Sequence, residues 1–136
     1  MTDKIQRSDA EWRAILSPEQ YRILRQAGTE APWSGALLGT KEQGEFRCAG
    51  CGETLFASSD KYDSGSGWPS FTRPVGDDAV SEVRDGSHGM IRTEVRCARC
   101  DGHLGHVFDD GPGRDGLRYC INSAALDFAK RDGGRG

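Results

Sequence analysis

The sequence predicts a mainly β body behind short N-terminal helices, and three observations lead to that fold class. Nineteen glycines are spread along the chain without a repeat and separate short apolar segments, the pattern of tight turns between strands. Residues 90–96 alternate Met90, Arg92, Glu94 and Arg96 against Ile91, Thr93 and Val95, a two-residue period that belongs to a strand. Two helix-start signals stand close together near the N-terminus.

The first of these, Ser8-Asp9-Ala10-Glu11, is a capping box that puts Trp12, Ile15 and Leu16 on one helical face. The second, Ser17-Pro18-Glu19-Gln20, places proline at the first helical position, where its missing N–H is harmless. Tyr21 and Leu24 continue that helix, and Gly28 is expected to end it. From Thr29 to Gly44 the composition suggests an irregular arm. Strands are expected at 44–48, 54–57, 69–73, 80–84, 90–96, 106–109, 118–122 and 126–129. Gly111 to Gly116 reads as a turn-rich loop, and 131–136 as a solvated, disordered tail.

At 136 residues the chain is expected to be one domain, with a helical arm at 1–43 and a β body at 44–130. Hydrophobic residues make up 35% and charged residues 29%, which suits a soluble globular protein. The net charge of −3 gives no broad basic surface for nucleic acid or membrane. No apolar run reaches the length of a membrane span, and the N-terminus lacks the apolar stretch of a secretory signal. A cytoplasmic monomer is the expectation.

Five cysteines carry the chemistry. Four form two matched pairs, Cys48-Ala49-Gly50-Cys51 and Cys97-Ala98-Arg99-Cys100. In a reducing compartment such pairs mean metal or redox chemistry more often than disulfides. Two pairs suit four thiolates around one structural zinc ion, closed to catalysis, better than a redox dithiol or chance. Cys120 is left over. It is either a small buried hydrophobe or a nucleophile. Arg118 and Asn122, two residues to either side, would share its face of a strand, offering a positive charge and an amide. His103 and His106 could be further metal ligands, but four thiolates already fill that site, which leaves the pair for acid–base work near neutral pH. His88 has the weaker case. Trp68, between Gly67 and Pro69, is either a core residue or an indole presented by a constrained loop.

Several stretches closely resemble the B-type methionine sulfoxide reductases: "YRILRQAGTE" (21–30), "SGSGWPSF" (64–71), "SHGMIRTEV" (87–95), "HLGHVFDD" (103–110) and "RYCINSAAL" (118–126). The match runs in order from about Tyr21 to Phe128 and includes both cysteine pairs. The resemblance implies two antiparallel β-sheets, with zinc opposite the active site. It implies thiol-dependent reduction of the R epimer of methionine sulfoxide in proteins and peptides, with Cys120 as nucleophile and a sulfenic acid intermediate. His103, His106 and Asn122 would surround the sulfoxide oxygen. Trp68 would pack on the substrate methyl group with Phe108 near it, and His88 and Arg118 would complete the substrate site. Many members carry a resolving cysteine where this chain has Ser66, and others lack it. With Ser66 there, thioredoxin or another external thiol is the expected reductant. Two other readings compete with the enzyme: a zinc-stabilised binding module with Cys120 incidental, and a redox sensor whose cysteine turns over no substrate.

Overall fold

The computed structural model describes residues 5, 7–76, 78–86, 92–113 and 115–130. Helix α1 (Asp9–Ile15) and helix α2 (Pro18–Gln26) both open on complete capping boxes, Ser8 with Glu11 and Ser17 with Gln20. Each box satisfies two backbone donors that a helix N-terminus leaves open. Trp12 and Leu16 are buried as expected, but Ile15 is 55% exposed. A seven-residue helix packs little more than one i, i+4 pair, and Ile15 falls beside it. Helix α2 buries Ile23 and Leu24, and its left-handed terminal residue is Ala27 (φ 53°), not Gly28. The Gly28 N–H still closes the end, on the Arg22 carbonyl at 2.9 Å.

Among the described residues nine strands follow: β1 (Gly44–Cys48), β2 (Thr54–Ala57), β3 (Lys61–Tyr62), β4 (Ser70–Phe71), β5 (Val80–Asp85), β6 (Arg92–Cys97), β7 (His103–Phe108), β8 (Arg118–Ile121) and β9 (Leu126–Lys130). They form two antiparallel sheets, β2-β1-β9 and β3-β4-β8-β7-β6-β5. The expected strands at 44–48 and 54–57 match the structure. The others shift. The segment 69–73 is ordered as strand only at Ser70–Phe71, β7 begins three residues earlier than expected, and β8 stops before Asn122. The two-residue β3 is too short to leave a periodic signal. Residues 87–91, with His88, Met90 and Ile91, and the tail 131–136 lie outside the described residues.

Aromatic side chains join the sheets. Phe46 of β1 meets Phe71 of β4 edge-on, with ring centroids 5.1 Å apart. Phe56 of β2 stacks on the same Phe71 at 4.4 Å and leans on Tyr119 of β8 at 5.9 Å. Phe46, Phe56 and Phe71 are fully buried, and rings of this size supply much of a small core's apolar burial. Among the described residues no helix is long and apolar enough to cross a membrane.

Candidate active site

One row of side chains crosses the larger sheet. The strand register sets Tyr62 opposite Ser70, Ser70 opposite Cys120, Cys120 opposite His106, and His106 opposite Glu94. Directly opposed residues in antiparallel strands share a face. Five polar side chains thus face one way across five strands.

Cys120 is 9% exposed. The Arg118 Nη1 donates to its Sγ at 2.8 Å, and the hydroxyls of Ser66 and Ser70 lie at 3.6 and 3.8 Å. That contact is a charge-assisted hydrogen bond to sulfur. Arg118 is itself fixed by a two-point contact with Asp110 (Nε–Oδ1 2.7 Å, Nη2–Oδ2 3.1 Å) and by the Phe108 ring, 4.6 Å below its Cζ. The Asp110 carboxyl is held below its ordinary range by that hydrogen bonding to Arg118.

A cavity of about 290 Å³ opens onto the sulfur, with Ser66, Trp68, His106, Phe108, Arg118 and Asn122 among its walls. Trp68 is therefore neither a core residue nor freely displayed. It is half-buried, and its Nε1–H donates to the Glu30 carbonyl at 3.0 Å. Asn122 spends its amide on the protein: Oδ1 accepts from the Glu30 N–H and Nδ2 donates to the Leu104 carbonyl, both at 3.0 Å. One Nδ2 hydrogen remains for the cavity.

His103 and His106 should fall on opposite faces of a regular strand, because they are three residues apart. A bulge between β6 and β7 changes this. Val95 pairs with Gly105 but Arg96 pairs with His103, so Leu104 is the extra residue. The two rings come to 5.4 Å, nearly perpendicular. His106 lines the cavity, whereas His103 stands behind it, 5% exposed, with Nδ1 2.6 Å from Glu94 Oε2. Gly105 between them is obligatory for a plain reason: a Cβ there would collide with the Cys120 carbonyl oxygen.

Sequence reasoning missed Glu30, Glu94 and Ser70. Glu30 is the clearest omission, because the arm around it looked irregular. Its buried carboxylate accepts from the Ser123 and Ala124 N–H groups at 2.9 and 3.1 Å, while its own backbone holds Trp68 and Asn122. A lone glutamate in a loop carries no local sign of such a role. Glu94 is 7% exposed although alternation places it on the polar side of its strand.

The other cluster lies where the sheets meet. Cys48 and Cys51 belong to the β1–β2 connection and Cys97 and Cys100 to the β6–β7 connection. Their four sulfurs lie within 4.8 Å of one another, with Cys48 to Cys100 at 3.7 Å and Cys51 to Cys97 at 3.5 Å. The four residues could hold one metal ion, tying the small sheet to the large one.

The SelR domain family matches residues 16–130. A peptide methionine sulfoxide reductase MsrB of Pseudomonas fluorescens is 57% identical over 130 residues, covering 96% of this chain and 99% of that protein. The protein of the same name in Leptospira interrogans is also 57% identical, with the same coverage. That of Bradyrhizobium diazoefficiens is 60% identical over 124 residues, 91% of this chain and 89% of its own length. The family match over residues 16–130, a span that takes in both cysteine pairs and the cavity walls, and near full-length relatives at this identity place the chain in the SelR-domain family of MsrB proteins.

Proposed function

We propose that this protein is a peptide-methionine (R)-S-oxide reductase with Cys120 as its nucleophile. The observation that carries the reading is a buried thiol with a guanidinium donor at 2.8 Å, at the base of a cavity that also presents a histidine and an indole.

A sulfoxide sulfur is a poor electrophile until its oxygen is protonated or strongly hydrogen-bonded. The Cys120 thiolate attacks that sulfur while His106, the histidine in the cavity wall, gives a proton to the oxygen. Two electrons pass from Cys120 to the substrate sulfur. The oxygen ends on Cys120 as sulfenic acid and methionine leaves. Trp68, with Phe108 near it, accepts the S-methyl group. The opposite epimer would set oxygen against the indole and leave the polar donors unpaired, which is the basis of R selectivity.

Thioredoxin or a small thiol then attacks the sulfenic sulfur, releasing water and forming a mixed disulfide that a second thiol reduces. The other cysteines are held in the metal cluster, and Ser66 has no thiol to offer. Ser66 Oγ lies only 3.6 Å from Cys120 Sγ. Ser66→Cys is expected to let one equivalent of sulfoxide yield an intramolecular disulfide, seen by non-reducing peptide mapping, where the parent protein yields a dimedone-labelled Cys120.

Four thiolates at about 2.3 Å from a tetrahedral zinc lie about 3.8 Å apart, close to the spacing of the facing sulfurs here. Cys48, Cys51, Cys97 and Cys100 would hold one zinc ion, which supplies folding free energy and takes no part in turnover. The working form is a cytoplasmic monomer acting on oxidised proteins.

Turnover of a methionine sulfoxide peptide with dithiothreitol, run on separated epimers, tests the reading. Reduction of the R epimer alone supports it, and no turnover of either epimer rejects it. His106→Ala is expected to slow single turnover by ~100-fold or more with little change in substrate affinity. A rate within a few-fold of the parent would remove His106 as the proton donor.

A further inference from the structure

Glu94 is a buried acid that the reaction above does not use. It sits on β6 directly across from His106, with Oε2 2.6 Å from His103 Nδ1 and Oε1 2.9 Å from Arg96 Nη2. Burial pushes its carboxyl up, but hydrogen bonds from Arg96 and His103 outweigh that and hold it below the ordinary range. A carboxylate only accepts, so the hydrogen between the two residues belongs to His103 Nδ1. In the neutral ring Nε2 is then bare. That Nε2 is buried and has no hydrogen-bond partner among the described residues. A buried polar atom left open beside the cavity points to a partner that arrives with the substrate or with water.

We propose that Glu94 is a positioning residue for the histidine pair, pinning His103 in the Nδ1–H tautomer so that Nε2 serves as a hydrogen-bond acceptor behind His106. The inference rests on the proposed reductase activity. While His106 gives the proton of one ring nitrogen to the sulfoxide oxygen, the N–H on its other ring nitrogen must be held by an acceptor. The His103 ring, edge-on at 69° with its centroid 5.4 Å away, offers a fixed acceptor to His106 itself or to one water between the rings. The bulge at Leu104 makes this possible by bringing the two histidines together. The hydrogen bond from Arg96 keeps Glu94 an acceptor and leaves it no proton to give. The order is carboxylate, imidazole, imidazole, cavity.

Long-range proton–nitrogen NMR of His103 in the parent protein decides the tautomer and requires neither turnover nor a variant. An Nδ1–H, bare-Nε2 pattern is expected. An Nε2–H tautomer, or a doubly protonated ring at neutral pH, overturns the proposal. Glu94→Gln keeps the volume but offers an amide that can donate as well as accept. It is expected to lose the single-tautomer signature and to slow single turnover by ~10- to 100-fold, as the loss of a group that orients a catalytic histidine does. Substrate affinity should stay within about threefold, because Glu94 is not in the cavity wall, and Glu94→Asp should keep the signature and recover part of the rate. Parent-like single turnover in a folded Glu94→Gln protein sinks the proposal. A parent protein that reduces no sulfoxide rejects the reductase reading instead, and the NMR pattern still decides the tautomer.

Discussion

Cys120→Ser is expected to lower sulfoxide reduction by at least ~10³-fold, as removal of a covalent nucleophile does. The fold and the metal content should be unchanged. Cys120 is the one cysteine outside the four-sulfur cluster, so its loss leaves that cluster whole. A serine hydroxyl at the same place can still accept from Arg118 and lie beside Ser66 and Ser70. It cannot take the substrate oxygen, because alkoxide oxygen lacks the reversible oxidation chemistry of sulfur. Single-turnover assays on protein with full metal occupancy and a parent-like melting curve provide the check. Retained reduction under those conditions would reject Cys120 as the nucleophile. An unfolded or metal-depleted variant would show instead that the residue is structural.

Cys48→Ser is expected to do the opposite: metal is lost, melting temperature falls by about 10 °C or more, and activity disappears only as a consequence. The expectation follows from where the cluster sits. Cys48 ends β1 in the small sheet, while Cys97 ends β6 in the large one. Zinc bound by four thiolates contributes on the order of 10 kcal/mol of folding free energy in small zinc domains. The whole stability of an ordinary domain is only about 5–15 kcal/mol. Losing a third of that range already shifts melting by about 10 °C in a chain of this size. Metal analysis with calorimetry decides the matter, and full occupancy with an unchanged melt would count against a structural metal. A strong chelator should reproduce the variant in the parent protein and leave Cys120 free to react with a thiol reagent.

Features set by neighbouring residues were legible in the sequence. The two capping boxes, the matched cysteine pairs and the Arg-Tyr-Cys-Ile strand each depend on contacts within about four positions, so residue spacing alone determined them. Strands β1 and β2 could be read to their ends because both are bounded by turn signals. Legibility stopped where a residue's role depends on a partner far along the chain. Glu94 looks solvent-facing by alternation, yet it is buried because His103, nine residues on, and Arg96 satisfy its oxygens. Glu30 looks like a loop residue, yet it caps backbone 93 and 94 positions away. The histidine pair is the sharpest case. Strand periodicity separates His103 from His106, and a one-residue bulge, visible only once β6 and β7 are in register, puts them side by side. The sequence by itself determined which groups are available for chemistry, since that is a matter of residue type. Which of them face one another was decided by strand register and by the burial of charge against distant partners, and both exist only in the folded protein.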